Sequence, residues 1–137
     1  MRWPRGDSGA FTLSYVIIVP VFMAGLMVIA QSAVWYLARQ TALDAARQGA
    51  DAARALNAPP GAGTRAAVDF ARAAAPGFLL LPAASAAGST AATVRIRVTG
   101  RVPSLVPGLT LTVSEVVMAP VERFVALAAA PERPGSP

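Results

Sequence analysis

The sequence predicts an α+β protein: a single N-terminal transmembrane helix that extends into a small head, with a second short helix and an antiparallel β-hairpin. Three observations carry this reading. Residues 10–37 hold no charged side chain. An Ala-rich stretch with helical charge spacing follows, ended by Pro and Gly. Further on, the apolar period changes from helical to two, the signature of half-buried strands.

The apolar run comes first. At about 1.5 Å per residue a helix over residues 10–37 is longer than the roughly 30 Å of a hydrocarbon core. Its first half, from Leu13 to Ala30, is dominated by Val, Ile, Phe, Met and Leu, whereas Gln31, Ser32, Trp35 and Tyr36 mark a polar and aromatic exit. Trp and Tyr favour that interfacial depth. Arg2 and Arg5 precede the run with only Asp7 against them, which places the short leader, residues 1–9, in the cytoplasm and the remainder outside. Arg39, Arg47 and Arg54 at the far end weaken that vote. A cleaved secretory signal fits poorly, because the one small-x-small site, Ala30-Gln31-Ser32, lies beyond an apolar region longer than such signals carry. Pro20 lies within the run and removes one helical hydrogen bond, so a kink is expected there.

The helix is expected to leave the membrane and continue to about Leu56, where "NAPPGAG" stops it. Along it Ala38, Ala42, Ala46 and Ala50 form a stripe at four-residue spacing, beside Ala45, Gly49 and Ala53. Small residues so arranged let another element approach closely, either the protein's own sheet or another subunit. A second helix runs from Thr64, a candidate N-cap, through "RAAVDFARAAA" to Pro76-Gly77, with Val68, Phe70 and Ala71 on its buried side. Leu79 to Leu81 then join a modest core or rest against the membrane surface. In "TVRIRVTGRV" Val94, Ile96 and Val98 alternate with Arg95, Arg97 and Thr99, and in "LTLTVSEVVM" Leu111 and Val113 alternate with Thr110, Thr112 and Ser114. These two strands pair antiparallel through a wide loop, "PSLVPG", and lie on the helices. Glu115 breaks the apolar phase, which predicts a bulge or a strand end there. Residues 38–124 thus make the helix extension and head, and residues 125–137 a disordered tail.

Charge and composition narrow the function classes. Hydrophobic residues make up 55% and charged residues 14%, a bias that a membrane segment accounts for. All 12 basic residues are arginine against 7 acids, a net charge of +5. The arginines are spread out, however, and Asp44/Arg47, Asp51/Arg54 and Arg65/Asp69/Arg72 have helical ion-pair spacing. Solvated helix faces explain them better than a nucleic-acid surface, which calls for aromatic interleaving. No histidine or cysteine is present. With no nucleophile motif or Gly-rich phosphate loop either, the expectation is no enzyme, no cofactor, no metal, no small-molecule substrate and no nucleic-acid partner. Apart from Asp7 and Glu132 near the termini, Glu115 and Glu122 are the acids left over; a strand-edge salt bridge from Glu115 to Arg95 or Arg97 is the expected use of the first.

Taken together, "GAFTLSYVIIVP" resembles the start of TadE-like proteins, pseudopilin-type membrane components of bacterial tight-adherence (Flp) pili. In that family a short basic leader ends in glycine, an apolar helix follows at once, and a proline lies eleven residues after the glycine; here those places are Gly9, Ala10 onward and Pro20. The helix exit "QSAVWYLARQTALDAARQGADAARA" and the C-terminal "VPGLTLTVSEVVMAPVERF" also look like the family. The resemblance implies a minor pilin or assembly factor in the bacterial cytoplasmic membrane. It further implies a processing site at Gly9 and Ala10 for a prepilin peptidase, with the lipid bilayer and other pilus or secretion-system membrane components as partners. One position departs from the pattern. Family members commonly have a glutamate five residues after the glycine, where its carboxylate meets the new amino terminus, and this chain has Ser14. Serine cannot supply that charge, which favours an alternative: an uncleaved single-pass scaffold or binding protein outside the filament.

Overall fold

The computed structural model describes residues 8–121, with side chains from Tyr15 onward. The basic leader up to residue 7, the acid Glu122, Phe124 and the tail 125–137 lie outside the described residues, as does the side chain of Ser14. Two helices and three strands follow one another: α1 (Ser8–Arg54), α2 (Ala62–Ala74), β1 (Leu80–Ser85), β2 (Thr93–Val102) and β3 (Leu111–Pro120). The strands form one antiparallel sheet in the order β1-β2-β3, with both helices on one of its faces. This is the expected α+β fold with one long apolar N-terminal helix.

α1 is a single 47-residue helix with Pro20 inside it. From Tyr15 to Ala30 it is exposed on all sides. From Gln31 onward one side is buried, and Ala38, Ala42, Ala45 and Ala46 have no exposed surface at all. The alanine stripe, including Ala50, therefore packs within the chain against its own sheet and second helix. The helix ends near the expected place, with Asn57 in a left-handed conformation (φ 59°) and the Ala58 N–H donating to the Ala55 carbonyl.

α2 crosses α1 with the two backbones in close contact. A Cβ on Gly49 would stand 2.6 Å from the Gly63 carbonyl oxygen and 2.8 Å from the Ala67 Cβ; one on Gly63 would stand 2.6 Å from the Gly49 carbonyl oxygen. Two glycines facing each other are what allow the backbones to touch. The buried stripe of α2 is accordingly Gly63, Ala67 and Ala71, with Phe70 packed at its border, and Val68 is only half-buried. Thr64 is not the N-cap. Gly61 holds that position at φ 77°, and the Thr64 hydroxyl, one turn in, donates back to the Gly61 carbonyl.

The sheet has three strands where the sequence predicts two. β1 is an edge strand, "LLPAAS", paired with β2 through an irregularity between Leu80 and Ala83. Pro82 sits inside that irregularity. A proline can donate no ladder hydrogen bond, so an edge strand at a bulge is where the sheet accepts it. Leu79, just before β1, is buried and fills the space over Gly100: a Cβ there would lie 2.8 Å from Leu79 Cγ. Leu80 and Leu81, in contrast, are exposed. β2 and β3 pair without interruption from Thr93↔Pro120 to Val102↔Leu111. The bulge or strand end expected at Glu115 is absent.

Candidate functional site

Three regions could act: the exposed apolar helix, the junction where it enters the head, and the charged surfaces of the head. Between Tyr15 and Ile29 the helix shows large apolar side chains in every direction, with Tyr15, Phe22 and Ile29 each more than 60% exposed. A helix apolar all round is built to be surrounded by something equally apolar. Among the described residues α1 is the one helix long and apolar enough to cross a membrane. Gly9 and Ala10 lie in its first turns, and the helical assignment continues unbroken through Pro20.

The junction is organised by Gln31, the one buried polar side chain among the described residues. Its amide donates from Nε2 to the Pro103 carbonyl at 3.2 Å and accepts at Oε1 from the Leu105 N–H at 2.7 Å. Both ends of one side chain are thereby used, and the start of the β2–β3 loop is held against the helix. The head begins at this residue, six before the predicted end of the membrane segment. Trp35 and Tyr36 follow on the same helix and, with Leu111, line a shallow open depression.

Charges in the head are placed by strand parity. Glu115 lies opposite Val98 in register, on the face of the sheet that carries Val94, Ile96 and Val98, whereas Arg95 and Arg97 point to the other face. Glu115 therefore cannot meet either arginine. It accepts instead from Arg39 Nε on α1 at 2.8 Å, and the Arg39 guanidinium also lies 5.7 Å from the centre of the Trp35 ring. Asp44 pairs with Arg47 at 2.9 Å and Asp51 with Arg54, as their spacing predicts. Asp69 joins neither Arg65 nor Arg72; Arg65 turns back to the Pro60 carbonyl. Nothing here concentrates reactive groups, and among the described residues no cluster of three acids, histidines or cysteines stands within metal-binding reach. Gln31 went unnoticed in the sequence as anything beyond an exit marker. A lone amide after a long apolar run is its only signal.

No curated protein and no solved structure matches the chain. The family model of TadE-like proteins matches residues 9–51. That span runs from the glycine at the head of the apolar run to three residues short of the end of α1, and so takes in Pro20, the exit aromatics and the buried alanine stripe. Over residues 9–51 this chain is similar to TadE-like proteins, the family that its apolar start resembles.

Proposed function

We propose that the protein is a membrane-anchored minor pilin or assembly factor of a tight-adherence (Flp, type IV-like) pilus or a related secretion system, and that it works by helix packing without chemistry of its own. The observation that carries this reading is the coincidence of the family match with the exposed half of α1: residues 9–51 are matched, and within them the helix changes at Gln31 from apolar on all sides to one-sidedly buried. The exposed half packs against lipid and the apolar helices of other pilus components, and the buried half holds the head upright on it. The leader stays in the cytoplasm and the head stands outside the cytoplasmic membrane. A prepilin peptidase trims the leader between Gly9 and Ala10.

The test is N-terminal sequencing and intact mass of the membrane-extracted protein, made together with its prepilin peptidase. A mature chain starting at Ala10 is the expected result. A chain starting at Met1 or Arg2 overturns the processing step and leaves the second reading, an uncleaved single-pass scaffold that stays out of the filament. Ser14 is the observation that favours this second reading, because a hydroxyl cannot neutralise a new amino terminus in lipid. Ser14→Glu separates the two: a filament component gains co-purification with other pilus proteins, and a scaffold does not.

A further inference from the structure

Beyond α1 itself, several exposed apolar side chains gather at one end of the head. The β2–β3 loop carries Leu105, Val106 and Leu109 outward, with Leu105 48% exposed. Leu81, 75% exposed, stands beside it, held outward by a left-handed backbone conformation (φ 49°) that a leucine rarely adopts. Leu81 and Leu109 belong to one continuous surface, and Leu105 and Val106 lie in the same loop as Leu109. Leu80, Leu81, Leu109 and Leu111 line a single groove, and Leu111 also lines the depression formed with Gln31, Trp35 and Tyr36 on α1. No acid occurs between Asp69 and Glu115, and the one charge in the groove is Arg101, paired in register with Leu80. An apolar patch with one cation and no acid suits the boundary between headgroups and acyl chains.

The height of this surface is set by Gln31. Its two hydrogen bonds tie residues 103 and 105 to one level of α1. Counted from Ala10, Gln31 stands roughly 31 Å along the helix, which is about one hydrocarbon thickness. The level at which α1 leaves the lipid is thus the level at which the loop is fastened, and Trp35 stands about 6 Å beyond it, where indoles favour the interface. The opposite end of the sheet, with the β1–β2 loop at residues 86–92, points away, since Ile96 already lies at Gly49, roughly 27 Å further along α1 than Gln31.

We propose that the tip of the head formed by Leu81, Leu105, Val106 and Leu109 is seated in the interfacial layer of the bilayer that α1 crosses, so that the protein holds the membrane at two places and its head has a fixed tilt. The proposal rests on the reading of α1 as a membrane-spanning helix. The chain has no cysteine, so single reporters can be placed without background. Leu81→Cys, Leu105→Cys and Leu109→Cys, each exposed and outside the core, are labelled with an environment-sensitive fluorophore in the full chain reconstituted into phosphatidylethanolamine–phosphatidylglycerol vesicles. Ile18→Cys reports the centre of the span and Ala87→Cys the distal end. The expected result is blue-shifted emission at 81, 105 and 109, lost on adding lipids spin-labelled near the headgroup and insensitive to aqueous iodide, with the reverse at 87. Iodide quenching at 81, 105 and 109, with Ile18 still quenched by lipid spin labels, overturns the membrane seat and leaves the span intact. Failure of lipid quenching at Ile18 overturns the span itself, and the seat with it. Shielding at 105 and 109 that disappears as the protein is diluted in lipid assigns the surface to a second copy of the chain and overturns the proposal.

Discussion

Gly49 and Gly63 stand where two helices touch backbone to backbone, and a methyl group on either has no room. Replacing glycine by alanine in a helix ordinarily gains about 1 kcal/mol. Here the added Cβ meets a carbonyl oxygen at 2.6 Å, which no side-chain rotation can relieve, so the helices must separate at a cost of roughly 1–3 kcal/mol. Gly49→Ala and Gly63→Ala are each expected to lower the midpoint of thermal unfolding, followed by circular dichroism in detergent. A melt that rises, as helix propensity alone would dictate, shows that the close crossing does not exist. Gln31 sets the second residue-scale expectation. Gln31→Ala leaves a carbonyl and an N–H of the β2–β3 loop without their partner, a loss of about 1–3 kcal/mol where water does not replace it. Amide hydrogen exchange at Leu105 is expected to accelerate in that variant, while exchange at Val98 in the sheet centre stays slow.

Among the elements, β1 is the least obvious from sequence and the most dependent on one contact. Leu79 enters the core because Gly100 on the central strand offers no side chain, and Leu79→Ala empties that space at an expected cost of about 2–5 kcal/mol. Gly100→Ala drives a Cβ into the same leucine and is also destabilising. The pair is not additive. In Leu79→Ala the new methyl group at 100 occupies vacated space, so the double variant should be more stable than the sum of the two single losses in urea unfolding. Additive losses would mean that Leu79 and Gly100 do not share a space. The ion pair that ties β3 to α1 is a lesser matter: Arg39 is half exposed, and a double-mutant cycle with Glu115 should give a coupling of about 0.2–1 kcal/mol that fades with added salt.

At the scale of the whole molecule, every buried side chain among the described residues belongs to residue 31 or later. The exposed half of α1 contributes nothing to the packing of the head. A chain starting at Gln31 is therefore expected to fold in water as the same two helices and three strands, with a cooperative melt and the mass of a monomer in size-exclusion chromatography at low concentration. Loss of cooperative unfolding in that fragment would show that the apolar half of α1 is needed to fold the head.

Several elements are legible in the sequence alone. The long apolar helix, its exit aromatics, the stop at "NAPPGAG" and the Val94–Ile96–Val98 strand are local patterns, and hydropathy, breakers and period report them directly. The third strand was not legible, because Pro82 and the alanines of "LLPAAS" lack alternation; the segment is a strand only because β2 has a free edge to offer. The same is true of charge partners. Spacing found Asp44–Arg47 and Asp51–Arg54, which are helical neighbours, and missed Arg39–Glu115, which are separated by 76 residues and joined by the parity of a strand. Sequence alone is enough for the long apolar helix, the second helix and the two alternating strands, since each is a pattern within a few turns of chain. Only the tertiary structure decided that the alanine stripe faces the protein's own sheet, that two glycines set the helix crossing, and that Gln31 fastens the head at one level of α1. Each of these brings together residues far apart in sequence, and no local pattern carries the register in which distant elements meet.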